Sequence, residues 1–124
     1  LVPMTDPPVP AQQATALTAT ISAGQSLSNA IDCTTAVTTL ARIYMPDDWN
    51  EAVITFELST DNIEAYRPLY NFDGKLGQMI VLPKAAVLVP DSIGKGLAWI
   101  KIRSGTWERP VVQKADRVFK LIMI

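Results

Sequence analysis

The segment Leu97-Ala98-Trp99-Ile100-Lys101-Ile102-Arg103 sets Ala98, Ile100 and Ile102 against Trp99, Lys101 and Arg103 in alternation. Successive side chains of a β-strand point to opposite faces, so this segment reads as a strand with one buried side. The same period recurs outward along the chain. Toward the N-terminus, 85–89 (AAVLV) and 78–82 (QMIVL) are short apolar runs. Residues 65–71 form a further strand whose Pro68 argues for an edge or a bulge. In 52–58, Val53, Thr55 and Glu57 oppose Ile54, Phe56 and Leu58. Residues 37–45 are β-branched and aromatic, and 26–32 space Leu27 and Ile31 for one face. In 16–22, Leu17, Ala19 and Ile21 oppose Thr18 and Thr20. Toward the C-terminus, 117–124 (RVFKLIMI) is apolar on both faces after Lys120, the mark of a central strand or one covered by a partner.

Turn signals separate these runs: Gly24-Gln25, Met45-Pro46-Asp47-Asp48, Ser59-Thr60-Asp61-Asn62, Asp73-Gly74, Pro83-Lys84 and Pro90-Asp91-Ser92. A loop from Ser104 to Pro110 carries Trp107. Residues 11–19 have some helical propensity, but threonine and alternation favour a strand for the second half. About eight or nine short strands with no long helix predict an all-β, two-sheet β-sandwich. A jelly roll is the expected topology, because eight strands fill two four-stranded sheets, and an immunoglobulin-like sandwich is the alternative. One domain is expected over 16–124, preceded by an extended N-terminal arm over 1–15. Pro3, Pro7, Pro8 and Pro10 keep that arm outside any sheet; it reads either as a disordered tail or, because Leu1, Val2, Met4 and Val9 make it apolar, as an arm that docks on a neighbouring subunit.

Composition narrows the function. Of 124 residues, 48% are hydrophobic, enough for a core without metals or disulfides. Eleven basic and 12 acidic residues give a net charge of −1 with no basic cluster, so no nucleic-acid partner is expected. No apolar run approaches the ~20 residues of a membrane helix. No basic start followed by an apolar block opens the chain, so synthesis in a cytoplasm is expected. The lone Cys33 reads as a small buried hydrophobe, with an intermolecular disulfide as the other option. The absence of histidine removes the usual general base and the commonest metal ligand, so no enzyme is expected.

Few residues remain as carriers of chemistry. Asp47-Asp48, Asp61-Asn62 and Asp73-Gly74 could bind calcium only if their loops converged, and turn formation explains them without a metal. Gly94-Lys95-Gly96 lacks the context of a phosphate loop. No cofactor, metal or catalytic residue is expected. The aromatic residues are the better candidates: Trp49 and Trp107 in loops, and Tyr66 with Tyr70 on one face of an edge strand. Exposed aromatics anchor protein interfaces and stack on sugars, although a tryptophan at a strand end commonly caps the core. The candidate interface is therefore Leu1, Val2, Pro3, Met4, Pro7, Pro8, Val9, Trp49, Tyr66 and Trp107.

Five stretches resemble small structural proteins of tailed-bacteriophage virions: 21–32 (ISAGQSLSNAID), 45–49 (MPDDW), 55–61 (TFELSTD), 100–106 (IKIRSGT) and 110–117 (PVVQKADR). The resemblance implies a capsid decoration, or cement, protein on the outside of the head. It implies the major capsid protein as partner and a homo-oligomer, dimer or trimer, as the working form. A carbohydrate-binding or tail- or baseplate-associated virion protein is the alternative.

Overall fold

Alternation becomes a sheet only where a second strand can share it. In the computed structural model, which describes residues 14–35 and 39–124, nine strands and one helical turn do so. The strands are β1 (Thr15–Ile21), β2 (Ile31–Asp32), β3 (Leu40–Tyr44), β4 (Ile54–Ser59), β5 (Arg67–Pro68), β6 (Gln78–Met79), β7 (Ala86–Leu88), β8 (Trp99–Ser104) and β9 (Arg117–Met123). The helical turn α1 (Asp91–Gly94) lies between β7 and β8. All pairings between strands are antiparallel. One sheet has the order β1-β9-β3-β7. The other has the order β2-β8-β4, with β5 and β6 both pairing β4. The expected all-β sandwich of two sheets is observed. The expected arm, with Leu1, Val2, Pro3, Met4, Pro7, Pro8 and Val9, lies outside the described residues up to position 13, and β1 opens at Thr15.

The core fills the space between the sheets. Ala19, Ile21, Leu40, Ile43, Phe119, Leu121 and Met123 from one sheet are buried with Ile31, Ile54, Phe56, Ile100 and Ile102 from the other. Leu40 and Ile43 both face inward although three positions apart, because the register of β3 against β9 shifts between Leu40 and Arg42. Such a bulge adds one residue to one strand and resets its alternation. β9 is central, flanked by β1 and β3, which accounts for part of its apolar character.

Several expected elements are shorter than their sequence patterns. In 26–32 only Ile31–Asp32 forms a strand, with a single bridge from Leu27 to Arg103. Between them the buried Ser28 hydroxyl accepts a hydrogen bond from Ile102 N, taking a donor that the ladder would use. In 65–71 only Arg67–Pro68 pairs, and Pro68 stands at an edge, where a missing N–H costs least. The Pro90 turn closes into α1 because Ile93 N and Gly94 N both donate to Pro90 O. A Cβ at Gly94 would collide with the Leu40 carbonyl oxygen, so only glycine lets α1 sit this close to β3. Asp73-Gly74 turns a hairpin as expected, with Gly74 at φ 79° and a bridge between Tyr70 and Leu76.

Candidate functional site

The register of β1-β9-β3-β7 sets the outward side chains in rows. Ala16, Ile122, Arg42 and Leu88 form one row, Thr18, Lys120, Tyr44 and Ala86 the next, and Thr20 and Val118 a third. Leu88 is 64% exposed, Tyr44 50% and Val118 45%. These rows contain two cations and no carboxylate. Lys120 Nζ donates to Thr18 Oγ1 at 3.0 Å and Arg42 Nη1 to Ala41 O at 3.0 Å. Among the described residues neither cation is in an ion pair. The face thus exposes Leu88, Tyr44 and Val118 beside two cations that each donate a hydrogen bond within the chain, and it carries no carboxylate.

The outward rows of the other sheet are covered by the chain itself. Thr55 and Ser59 point outward yet are buried. Thr55 Oγ1 donates to Gly105 O at 2.7 Å, and Ser59 Oγ to Glu64 O at 3.1 Å. Glu57 Oε2 accepts from Arg103 Nε at 2.8 Å and lies 2.7 Å from Nη2, while Nη1 donates to Ser26 Oγ at 3.0 Å. Lys101 Nζ sits 4.3 Å from the centroid of the Tyr66 ring.

The three candidate aromatics inside the described residues have separate surroundings. Trp49 is half-buried and meets Phe119 edge-on at 5.5 Å, with Nε1 donating to Ala52 O at 3.2 Å. It caps the core and also walls a groove of about 770 Å³. Tyr66 is half-buried over Lys101, and its hydroxyl donates to Asn62 Oδ1 at 2.5 Å; burial pushes that phenol above its ordinary range. Trp107 is 48% exposed, and its Nε1 donates to the hydroxyl of Tyr70, itself 46% exposed, at 3.2 Å. Tyr70 also lines a cavity of about 300 Å³ with Thr60, Glu64 and Arg67. The edge strand expected to hold both tyrosines on one face is only two residues long, and the two take different neighbours.

Two of the acidic turns are occupied by their own backbones. Asp61 Oδ1 accepts from Ile63 N at 2.8 Å and Glu64 N at 2.9 Å, and these bonds, that from Glu64 first, hold its carboxyl below the usual range. Asp73 Oδ1 accepts from Lys75 N at 2.9 Å. No group of three or more His, Cys, Asp or Glu able to hold a metal occurs among the described residues. Cys33 is 2% exposed, and its thiol is pushed up to about 11 by burial and then by the Asp32 charge.

Sequence patterns did not point to Gln113, which is fully buried. Its Nε2 donates to Asn50 O at 3.0 Å and Ser104 Oγ at 2.8 Å. Its Oε1 accepts from Asn50 N at 2.9 Å and Arg117 Nε at 3.0 Å. This amide ties the Trp49 loop to β8 and β9, and only a residue with both donor and acceptor can do so. A lone glutamine in a loop carries no periodicity that would betray it. Tyr44, Leu88 and the outer face they form were also missed, although the apolar C-terminal segment with Val118 and Ile122 was their one visible signal. Comparison with protein-family models, curated proteins and solved structures finds no match to this chain.

Proposed function

We propose that this chain is a structural binding module that docks through the open face of β1-β9-β3-β7, and that it serves as a capsid decoration protein of a tailed bacteriophage. The observation behind the docking role is the contrast between a sheet face that the chain covers itself and one that it leaves apolar and exposed. Large apolar side chains left exposed together on one sheet face of a small domain are what an interaction site offers. The virion assignment rests on the five resembling stretches in the sequence. The reading places the module on the outer surface of the head, with the major capsid protein as partner, and asks no chemistry of it. A binder of this kind would stabilise the shell by mass action, because it favours the state it binds.

A jelly roll is the topology proposed within the sandwich. It is supported by the way β1, β2, β3 and β4 alternate between sheets, and by the order that puts β1 beside β9 and β2 beside β8. An immunoglobulin-like sandwich would group its strands differently.

Antibody–gold labelling of virions tests the role: an even distribution over heads is the expected result, and gold confined to tails would overturn it. The glycan-binding alternative has one specific observation in its favour, the exposed Trp107–Tyr70 pair beside a small cavity that Tyr70 lines with Glu64 and Arg67. Glycan-array binding that Trp107→Ala abolishes would establish that reading instead.

A further inference from the structure

β1 is an edge strand, and its outer side is guarded over only part of its length. Thr20 N donates to Asn29 Oδ1 at 2.8 Å, and Thr20 O accepts from Asn29 N at 3.2 Å. Asn29 thus stands where a further strand would and satisfies both backbone groups of Thr20. In an antiparallel ladder alternate residues turn their N–H and C=O to opposite neighbours. Ala16 and Thr18 therefore present theirs on the same outer side as Thr20, and among the described residues no backbone–backbone hydrogen bond reaches them there. Natural edges are kept from pairing by brevity, charge, proline or a bulge. β7 is three residues long between Lys84 and Pro90, β5 is Arg67–Pro68, and β2 is two residues ending in Asp32. β1 has seven residues with no charge and no proline, and its register against β9 runs without a shift.

We propose that this edge pairs with the same edge of a second copy, antiparallel about a two-fold axis, with Ala16 of each copy opposite Thr18 of the other. A two-fold brings a strand against itself in the antiparallel sense, so one patch supplies both halves of the contact. This register puts both free positions into bonded pairs, each exchanging its N–H and C=O both ways. Setting Thr18 opposite Thr18 would instead bring Ala16 against Thr20, whose groups Asn29 already holds. Setting Ala16 opposite Ala16 would bring Thr18 against Ala14, which precedes the strand. The free stretch is bounded by Asn29, a length that its own copy matches and that leaves a longer foreign strand partly unpaired. The chosen register also centres Leu17 on the axis. Leu17 packs against the buried core cluster but is itself only half-buried, and there it meets the Leu17 of the second copy. Thr15–Ile21 carries no charge, so no like charges are brought together. The two four-stranded sheets then join into one, with both open faces on the same side and free to dock.

The test uses the full chain. Sedimentation at tens of micromolar should show a dimer. Thr18→Pro removes an N–H that the ladder to β9 does not use and should weaken the dimer at least tenfold, with circular dichroism checking that the fold is intact. Register is read by crosslinking in a Cys33→Ala background with copper–phenanthroline as oxidant. Leu17→Cys should form a disulfide across the axis, because directly opposed residues at a non-bonded site stand about 4.5 Å apart between Cα atoms. Thr18→Cys should not, because its own copy then lies on the diagonal, at about 7–8 Å. Deleting residues 1–10 should leave the dimer in place. A parent chain that stays monomeric overturns the proposal. So does a dimer that Thr18→Pro leaves intact, a crosslink at Thr18→Cys with none at Leu17→Cys, or a dimer lost with residues 1–10, which would place the contact in the arm. None of these results bears on where gold labels the virion, so this proposal and the decoration role can fail separately.

Discussion

The two outer faces of the sandwich start from similar alternating strands and end in opposite states. On β8 and β4 the outward positions are Arg103, Lys101, Trp99, Thr55, Glu57 and Ser59, and each is buried or half-buried. On β9 and β3 they are Val118, Lys120, Ile122, Arg42 and Tyr44, and all but the half-buried Ile122 are exposed. Both faces mix charged and apolar side chains; the difference is that the chain covers the β8–β4 face and leaves most of the β9–β3 face exposed, Val118 and Tyr44 included. Intramolecular cover works through directional contacts such as Arg103–Glu57, which loops can supply singly. An open apolar face is stabilised only by something that covers all of it.

The largest expected effect lies on the covered face. Glu57→Ala leaves the Arg103 guanidinium, 16% exposed, without its carboxylate and should cost on the order of 3 kcal/mol in urea unfolding. A loss below about 1 kcal/mol would mean that water already screens the pair as on an ordinary surface.

The interior, which belongs to neither face, gives the next effect. With its thiol pushed up to about 11, Cys33 should react with iodoacetamide at pH 8 roughly a hundredfold more slowly in the native protein than in urea. The sign for stability follows, because burial favours the neutral thiol. That contribution is complete below the unfolded value of about 8.5 and is lost as pH rises toward the folded value, so Cys33→Ala should flatten the alkaline limb of the stability profile.

Smaller again is Tyr66→Leu, which removes the ring under Lys101 and should cost about 0.5–1 kcal/mol by thermal unfolding. The smallest effect on folding belongs to the open face. Leu88→Ser and Tyr44→Ser should change stability by less than about 0.5 kcal/mol, yet abolish head labelling when the variants are offered to undecorated virions. Destabilisation well above that would show that the face contributes to the fold rather than to docking.

Much of the fold was legible because it is local. Leu17, Ala19 and Ile21, or Ala98, Ile100 and Ile102, need only their own spacing to declare a buried side, and Pro68 declares an edge by what it lacks. Failures arise where a distant partner decides. The run Ile80-Val81-Leu82 has the right alternation and buries Val81, but among the described residues neither Ile80 nor Val81 makes a backbone–backbone hydrogen bond. Trp107 meets Tyr70 across 37 residues, and Gln113 meets Asn50 across 63, separations that no window along the chain can join. Trp107 is exposed, Trp49 caps the core and Tyr66 lies half-buried over Lys101, and that separation depends on folded geometry. The open face was half-visible in the C-terminal strand and invisible in β3, where the bulge at Ala41 reorders the pattern.

The seven-residue ladder between β1 and β9 also imposes an order in time. About 95 residues separate Ile21 from Arg117, so at ordinary translation speeds β1 waits on the order of 5–20 s for its partner to be made. β3 waits for the same strand, since β9 stands between them. Until then Ala19, Ile21, Leu40 and Ile43 lie on strands whose shared neighbour in the sheet is missing. The two ladders of β1 and β3 therefore wait on β9, which acts as the latch on the four-stranded sheet.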